Sequence, residues 1–87
     1  MDLDDRVFAT IIVISEFDRH DIDKKLSKLR HGFNLLVLED IHRHVEEKYC
    51  VEIFHAEGKN SEITNLIGRI RGIKGIYQLK YAIISLT

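Results

Sequence analysis

The sequence predicts an α+β domain with the element order βαββαβ. Three observations lead there. Apolar or alternating runs of strand length occur at residues 7–15, 34–44, 50–56 and 75–85. Two intervening stretches carry apolar residues at helical spacing. One of these stretches follows the first strand and the other follows the third, so each half of the chain reads as a βαβ unit.

The first strand, Val-Phe-Ala-Thr-Ile-Ile-Val-Ile-Ser from Val7 to Ser15, is β-branched and apolar throughout. Such a run fits a central strand buried on both faces. Asp18 to Asp21 is polar and offers helix N-cap candidates. Ile22, Leu26 and Leu29 then fall at i, i+4 and i+7, one stripe of an amphipathic helix. Lys24, Lys25, Lys28 and Arg30 gather toward its C-terminal end, where cations suit the helix dipole, and Gly32 is a stop signal. From Asn34 to His44 no helical stripe survives, so a second strand is expected. Its alternate sets are Leu36, Leu38, Asp40, His42, His44 and Leu35, Val37, Glu39, Ile41, Arg43. The polar segment from Val45 to Tyr49 turns the chain into a third strand at Cys50 to Ala56, which Gly58 closes. Asn60 or Ser61 caps a second helix, whose stripe is Ile63, Leu66, Ile67 and Ile70 and whose end is Gly72. A last apolar strand runs from Gly75 to Ser85.

Two helices on one face of a four-stranded antiparallel sheet give the split-βαβ, ferredoxin-like plan, favoured by right-handed crossovers. The plan leaves the opposite sheet face bare. Leu36, Leu38, His42 and His44 are assigned to that bare face, and an exposed apolar face asks for self-association.

At 87 residues the chain holds one domain: a short tail at 1–6 and a folded unit at 7–87. No apolar run reaches the length of a membrane span, and the acidic start Met-Asp-Leu-Asp-Asp lacks the basic region of a signal peptide. One cysteine excludes an internal disulfide, so a reducing cytoplasm is the expected setting. A formal charge of −1 argues against the chain gripping DNA alone.

The chemistry-bearing stretch is His42-Arg43-His44-Val45-Glu46-Glu47-Lys48-Tyr49-Cys50. Alternation along a strand puts both imidazoles on one face, and the hairpin returns the thiol beside them. His31 at the end of the first helix could add a nitrogen, from its own subunit or across a subunit boundary. Taken singly, each residue has a plain structural role: surface histidines, a small buried thiol, a cation at a helix end. Their clustering is what those roles leave unexplained. Three imidazoles and one thiolate suit nickel, copper or zinc; a planar site selects Ni(2+) or Cu(2+), a tetrahedral one Zn(2+). A fully ligated site has no place for a reactive water, so sensing or structure is expected rather than catalysis.

From Phe8 to Ile84 the chain resembles the C-terminal regulatory domain of the nickel-responsive transcriptional regulators, the NikR family, an ACT-like βαββαβ domain. The residues that carry the resemblance are the helix-ending His31, His42, His44 and Cys50 at the family's spacing. Asp21-Ile22, Cys50-Val51-Glu52, Gly58-Lys59 and Gly72-Ile73 are further landmarks. The resemblance implies a square-planar nickel(II) site in a homotetramer, a dimer of dimers. In it His42, His44 and Cys50 come from one subunit and His31 from another. It implies a regulator, not an enzyme, that meets operator DNA through a ribbon-helix-helix domain. Residues 1–6 correspond to the end of the connection to such a domain, so the chain reads as an excised fragment or a stand-alone sensor. Arg19 and His20 occupy the loop that touches the DNA backbone in the family, with Lys24 and Lys25 nearby.

Glu52 shares a strand face with Cys50 and is placed to orient a ligand. His55, out of phase with Cys50, is assigned to the helix-facing side as a core histidine. Tyr49, Tyr77 and Tyr81 are packing residues. The alternative is an ACT-like module that binds a small molecule such as an amino acid and has no metal function; no residue set marks its ligand. An enzyme using Cys50 and His42 would need an open pocket and an orienting third group.

Overall fold

The computed structural model describes residues Met1–Thr87. The order is β1 (Arg6–Glu16), α1 (His20–Gly32), β2 (Val37–Val45), β3 (Tyr49–Lys59), α2 (Asn60–Arg71) and β4 (Gln78–Ser85). The strands form one sheet in the order β2-β3-β1-β4 with every neighbouring pair antiparallel. This is the expected ferredoxin-like fold. β3 separates β1 from β2, so the first βαβ unit is split by the strand that follows it.

The helices cover one face of the sheet. Val7, Ala9, Ile11 and Val13 of β1 point under them with Phe54 and Ala56 of β3. Ile22 and Leu26 of α1 and Ile63, Leu66, Ile67 and Ile70 of α2 close the same core, as the helical stripes predict. The helix-facing half of β1 is buried, but Phe8, Thr10, Ile12 and Ile14 on the other face are only half-buried. The sequence of β1 asks for burial on both faces, and in one chain it receives it on one.

Several boundaries move from their expected places. β3 continues past Ala56 to Lys59, because Gly58 and Lys59 pair with Val7 and Arg6. Gly58 lies under Leu36: a Cβ there would meet Leu36 Cδ2 at 2.6 Å. α2 begins at Asn60 after the N-cap Lys59, whose backbone N–H donates to Glu62 Oε1 at 3.1 Å. The cap of α1 is Arg19, and no side chain accepts from the first turn there. Asp18 has left-handed backbone (φ 67°) and Asp21 is engaged by Arg19, so neither caps. β4 begins at Gln78 rather than Gly75, since Gly75 has φ +96° and turns the chain beside Arg19.

β2 departs furthest from the expected alternation. Val37 pairs with Ala56 on the helix side, but the next pair is Glu39 with His55, so Leu38 is an extra residue in a β-bulge. The bulge reverses the alternation. Asp40, His42 and His44 then pair with Phe54, Glu52 and Cys50, all on the helix side. His42 and His44 are therefore not on the bare face, and Leu36 is not either. His55 is the converse. It lies on the open face with Phe8 (ring centroids 5.7 Å) and meets Glu39 Oε1 at 3.0 Å.

The β2–β3 turn is held by Lys48 N–H donating to Val45 O at 3.0 Å. Glu46 and Glu47 both have positive φ, 55° and 53°, a conformation that Asn and Gly adopt with less strain. Replacing the pair with Asn-Gly should stabilise the domain by about 1–2 kcal/mol, read as a higher urea midpoint at unchanged m.

Candidate metal centre

The site is built on the β2–β3 hairpin. Opposite residues of an antiparallel pair share a face, so the His44–Cys50 and His42–Glu52 pairs put four polar side chains side by side. Ligand atoms of His42, His44 and Cys50 all lie within 4.8 Å of one another. The imidazole rings meet edge to face at 5.4 Å.

Burial grades across the site. Cys50 is 4% exposed and Glu52 8%, both under the helix layer, whereas the two histidines are exposed. They stand on an edge strand, at the end of the sheet where α1 begins. Glu52 Oε1 lies 2.6 Å from His42 Nδ1. A carboxylate there holds the proton on Nδ1 and leaves Nε2 as the free donor atom. Burial pushes the Cys50 thiol above its ordinary value, and the Asp23 carboxylate pushes the same way against the Asp18 backbone amide. The thiol is thus protonated at neutral pH, and a cation taking the sulfur would displace that proton.

Phe17 completes the surroundings. Its ring meets His44 edge-on at 4.7 Å, and its N–H donates to Lys48 O at 2.8 Å. Sequence reasoning passed over it, though a large apolar side chain between Glu16 and Asp18 was a signal. Asp40 is tied to Arg30 at 2.9 Å, joining the last turn of α1 to β2. Burial raises the Asp40 carboxyl pKa, against the opposing charges of Arg30 and His42.

His31 is exposed and is not among the converging groups. The charge of Asp23 is felt at Cys50, and His31 lies eight residues further along α1. At 1.5 Å per residue that is about 12 Å along the helix axis. In the loop before α1, Arg19 donates to both Asp21 carboxylate oxygens at 3.0 Å, and the pair holds the Asp21 carboxyl at about 2. His20 is exposed.

The donor set is chemically selective: two neutral nitrogens and a sulfur, with a buried carboxylate behind one nitrogen. It matches borderline transition metals, not calcium or magnesium. A family profile described as the NikR C-terminal nickel-binding domain matches residues 8–84. The chain belongs to this family. Among its relatives is a protein of Haloarcula marismortui named as a nickel-responsive regulator, 29% identical over 83 residues, which span 94% of this chain and 60% of that protein. One of the same name in Methanopyrus kandleri is 28% identical over 82 residues, 94% of this chain and 57% of that one. The NikR-family chain thus spans little more than half the length of these relatives. An uncharacterised protein of Thermotoga maritima has the same fold, with a TM-score of 0.74, 22% identity, and coverage of 94% of this chain and 99% of that one. So does the ACT domain of GTP pyrophosphokinase from Chlorobium tepidum, at 0.70, 14% identity, 86% and 96%. No helix is long and apolar enough to cross a membrane.

Proposed function

We propose that this domain senses nickel(II) for a transcriptional regulator, holding the ion between subunits of a homotetramer. The observation that carries the reading is the convergence of His42, His44 and Cys50 within 4.8 Å, in a chain of the nickel-binding family. His42 Nε2, a His44 ring nitrogen and the Cys50 thiolate are three donors from one chain, and His31 of a neighbouring chain is the fourth. The separation of His31 from its own hairpin supports donation in trans. Nickel supplies a preference for planar four-coordination, which copper(II) shares and zinc(II) does not.

The unpartnered sheet face supports the assembly. Phe8, Ile12, Ile14, Ile41, Val51 and Ile53 share it, with Ile41 39% exposed. Arg6–Glu57 and His55–Glu39 pairs border it. A ligand shared between chains favours the assembly in which both halves of the site meet, and an attached DNA-binding domain reads that preference. Operator DNA is reached through a ribbon-helix-helix domain of the regulator. Arg19 adds a phosphate contact by exchanging Asp21 for a phosphate, and exposed His20 beside it adds another.

Titration of the metal-free chain with nickel tests the proposal. One ion per chain should bind with the yellow charge-transfer and d–d bands of planar coordination, at the mass of a tetramer. Weak uptake without those bands would overturn it.

A further inference from the structure

A second concave site shares no residue with the metal centre. Lys25 and Lys28 of α1 and Arg69 of α2 line an outward groove of about 660 Å³ between the helices, with half-buried Leu29 and Ile73 also lining it. No carboxylate lines the groove, and none of its three cations has an ion-pair partner. Like charges gathered in a concavity reinforce one another's potential.

The remaining lining residues are Gly32, Gly68 and Gly72. None has the positive φ that would require glycine. A Cβ at Gly32 or Gly68 would meet nothing within 4 Å. Glycine inside a helix weakens it relative to alanine, yet neither packing nor backbone geometry asks for one at position 68. What it provides is room above the cations.

We propose that this groove binds a phosphate-rich small anion of nucleotide size. Lys25, Lys28 and Arg69 hold the polyphosphate, and Leu29 and Ile73 meet a flat apolar body. The volume lies within the range of roughly 300–1,000 Å³ usual for small-molecule sites. Half-buried Leu29 and Ile73 beside the three cations favour a ligand that carries an apolar face with its phosphates over a duplex, whose backbone offers only phosphate and sugar. The proposal stands or falls independently of the nickel reading, because neither its residues nor its test involves the hairpin.

The test is an NMR titration of the metal-free chain, in chelator, with ATP, inorganic tripolyphosphate and duplex DNA. ATP should shift the amides of residues 25–32 and 68–73 saturably, and more tightly than tripolyphosphate does. Arg69→Glu should weaken ATP binding by about tenfold or more, as loss of a charge-assisted contact implies. Gly68→Leu should fill the groove and block binding with the thermal midpoint maintained. Absence of saturable shifts, shifts spread equally to Lys48, Lys59 and Lys80, or binding of DNA alone would each overturn the proposal.

Discussion

Replacing Cys50 with alanine is expected to lower nickel affinity by at least about a hundredfold, because even groups behind a ligand are worth about 10–100-fold. The fold should survive. The thiol is one small group at the edge of the core, and removing it should cost about 1 kcal/mol, a minor loss for a site that can relax at its solvent side. Its pKa decides the pH behaviour. The thiol pKa is raised above its ordinary value, chiefly by burial, so the folded chain holds the proton more tightly than an unfolded one would. Nickel must displace it: about one proton should leave this sulfur per ion bound at pH 7, and affinity should climb as pH rises toward the thiol pKa. The alanine variant should lose both the charge-transfer band and this proton. Glu52→Gln is the informative companion. It keeps all four donors but removes the carboxylate 2.6 Å from His42, so it should weaken binding within the 10–100-fold range and leave the sulfur band in place. Unchanged uptake by the Cys50 variant would remove sulfur from the site and sink the nickel reading.

Local periodicity carried most of the fold. α1 and α2 have stripes regular enough to name Ile22, Leu26, Ile63, Leu66, Ile67 and Ile70 as buried, and with the strand-length runs they give the βαββαβ order; β1, apolar throughout, carries no alternation to tell its covered face from its open one. The bulge at Leu38 was not legible, since no glycine or proline marks it and Leu35 to Leu38 is apolar on both alternations. One unrecognised extra residue reverses every side chain beyond it. That is why strict alternation puts His42 and His44 on the bare face and His55 on the covered one, the reverse of their places in the fold. The grouping of His42, His44, Cys50 and Glu52 withstood the error, because a reversal moves all members of an alternating set together. Phe17 and the left-handed Asp18, Glu46 and Glu47 were missed for another reason. Turn chemistry favours Asn or Gly at positive φ, and this chain uses acidic residues at all three. The small-molecule reading had no residues to point to because its candidate groove draws from α1 and α2, some forty residues apart along the chain.

Chains carrying His31→Ala and chains carrying Cys50→Ala, each defective alone, are expected to regain part of the nickel charge-transfer band when mixed and refolded together. With donation in trans, a complete site needs the hairpin of one chain and the helix end of another. Random assembly from equal amounts then yields about one quarter complete sites, the product of two even choices at a shared interface. Donation within one chain would yield none, because no chain in the mixture holds all four donors. The expectation follows from the roughly 12 Å of helix between Asp23, beside the thiol, and His31. Rescue should also depend on the open sheet face. Ile53 pairs with Ile12 and Ile41 near its centre, one register position from His42 but on the opposite face of the sheet from every donor side chain. Ile53→Arg should leave the monomer folded, since the side chain faces solvent in one chain, but a charge set against the apolar face of a second copy would lie desolvated and unpaired. Size-exclusion should then report monomers, and the mixture built on this background should regain no band. A tetramer that persists with Ile53→Arg would move the interface elsewhere on the domain, while rescue without any assembly would overturn the shared site itself.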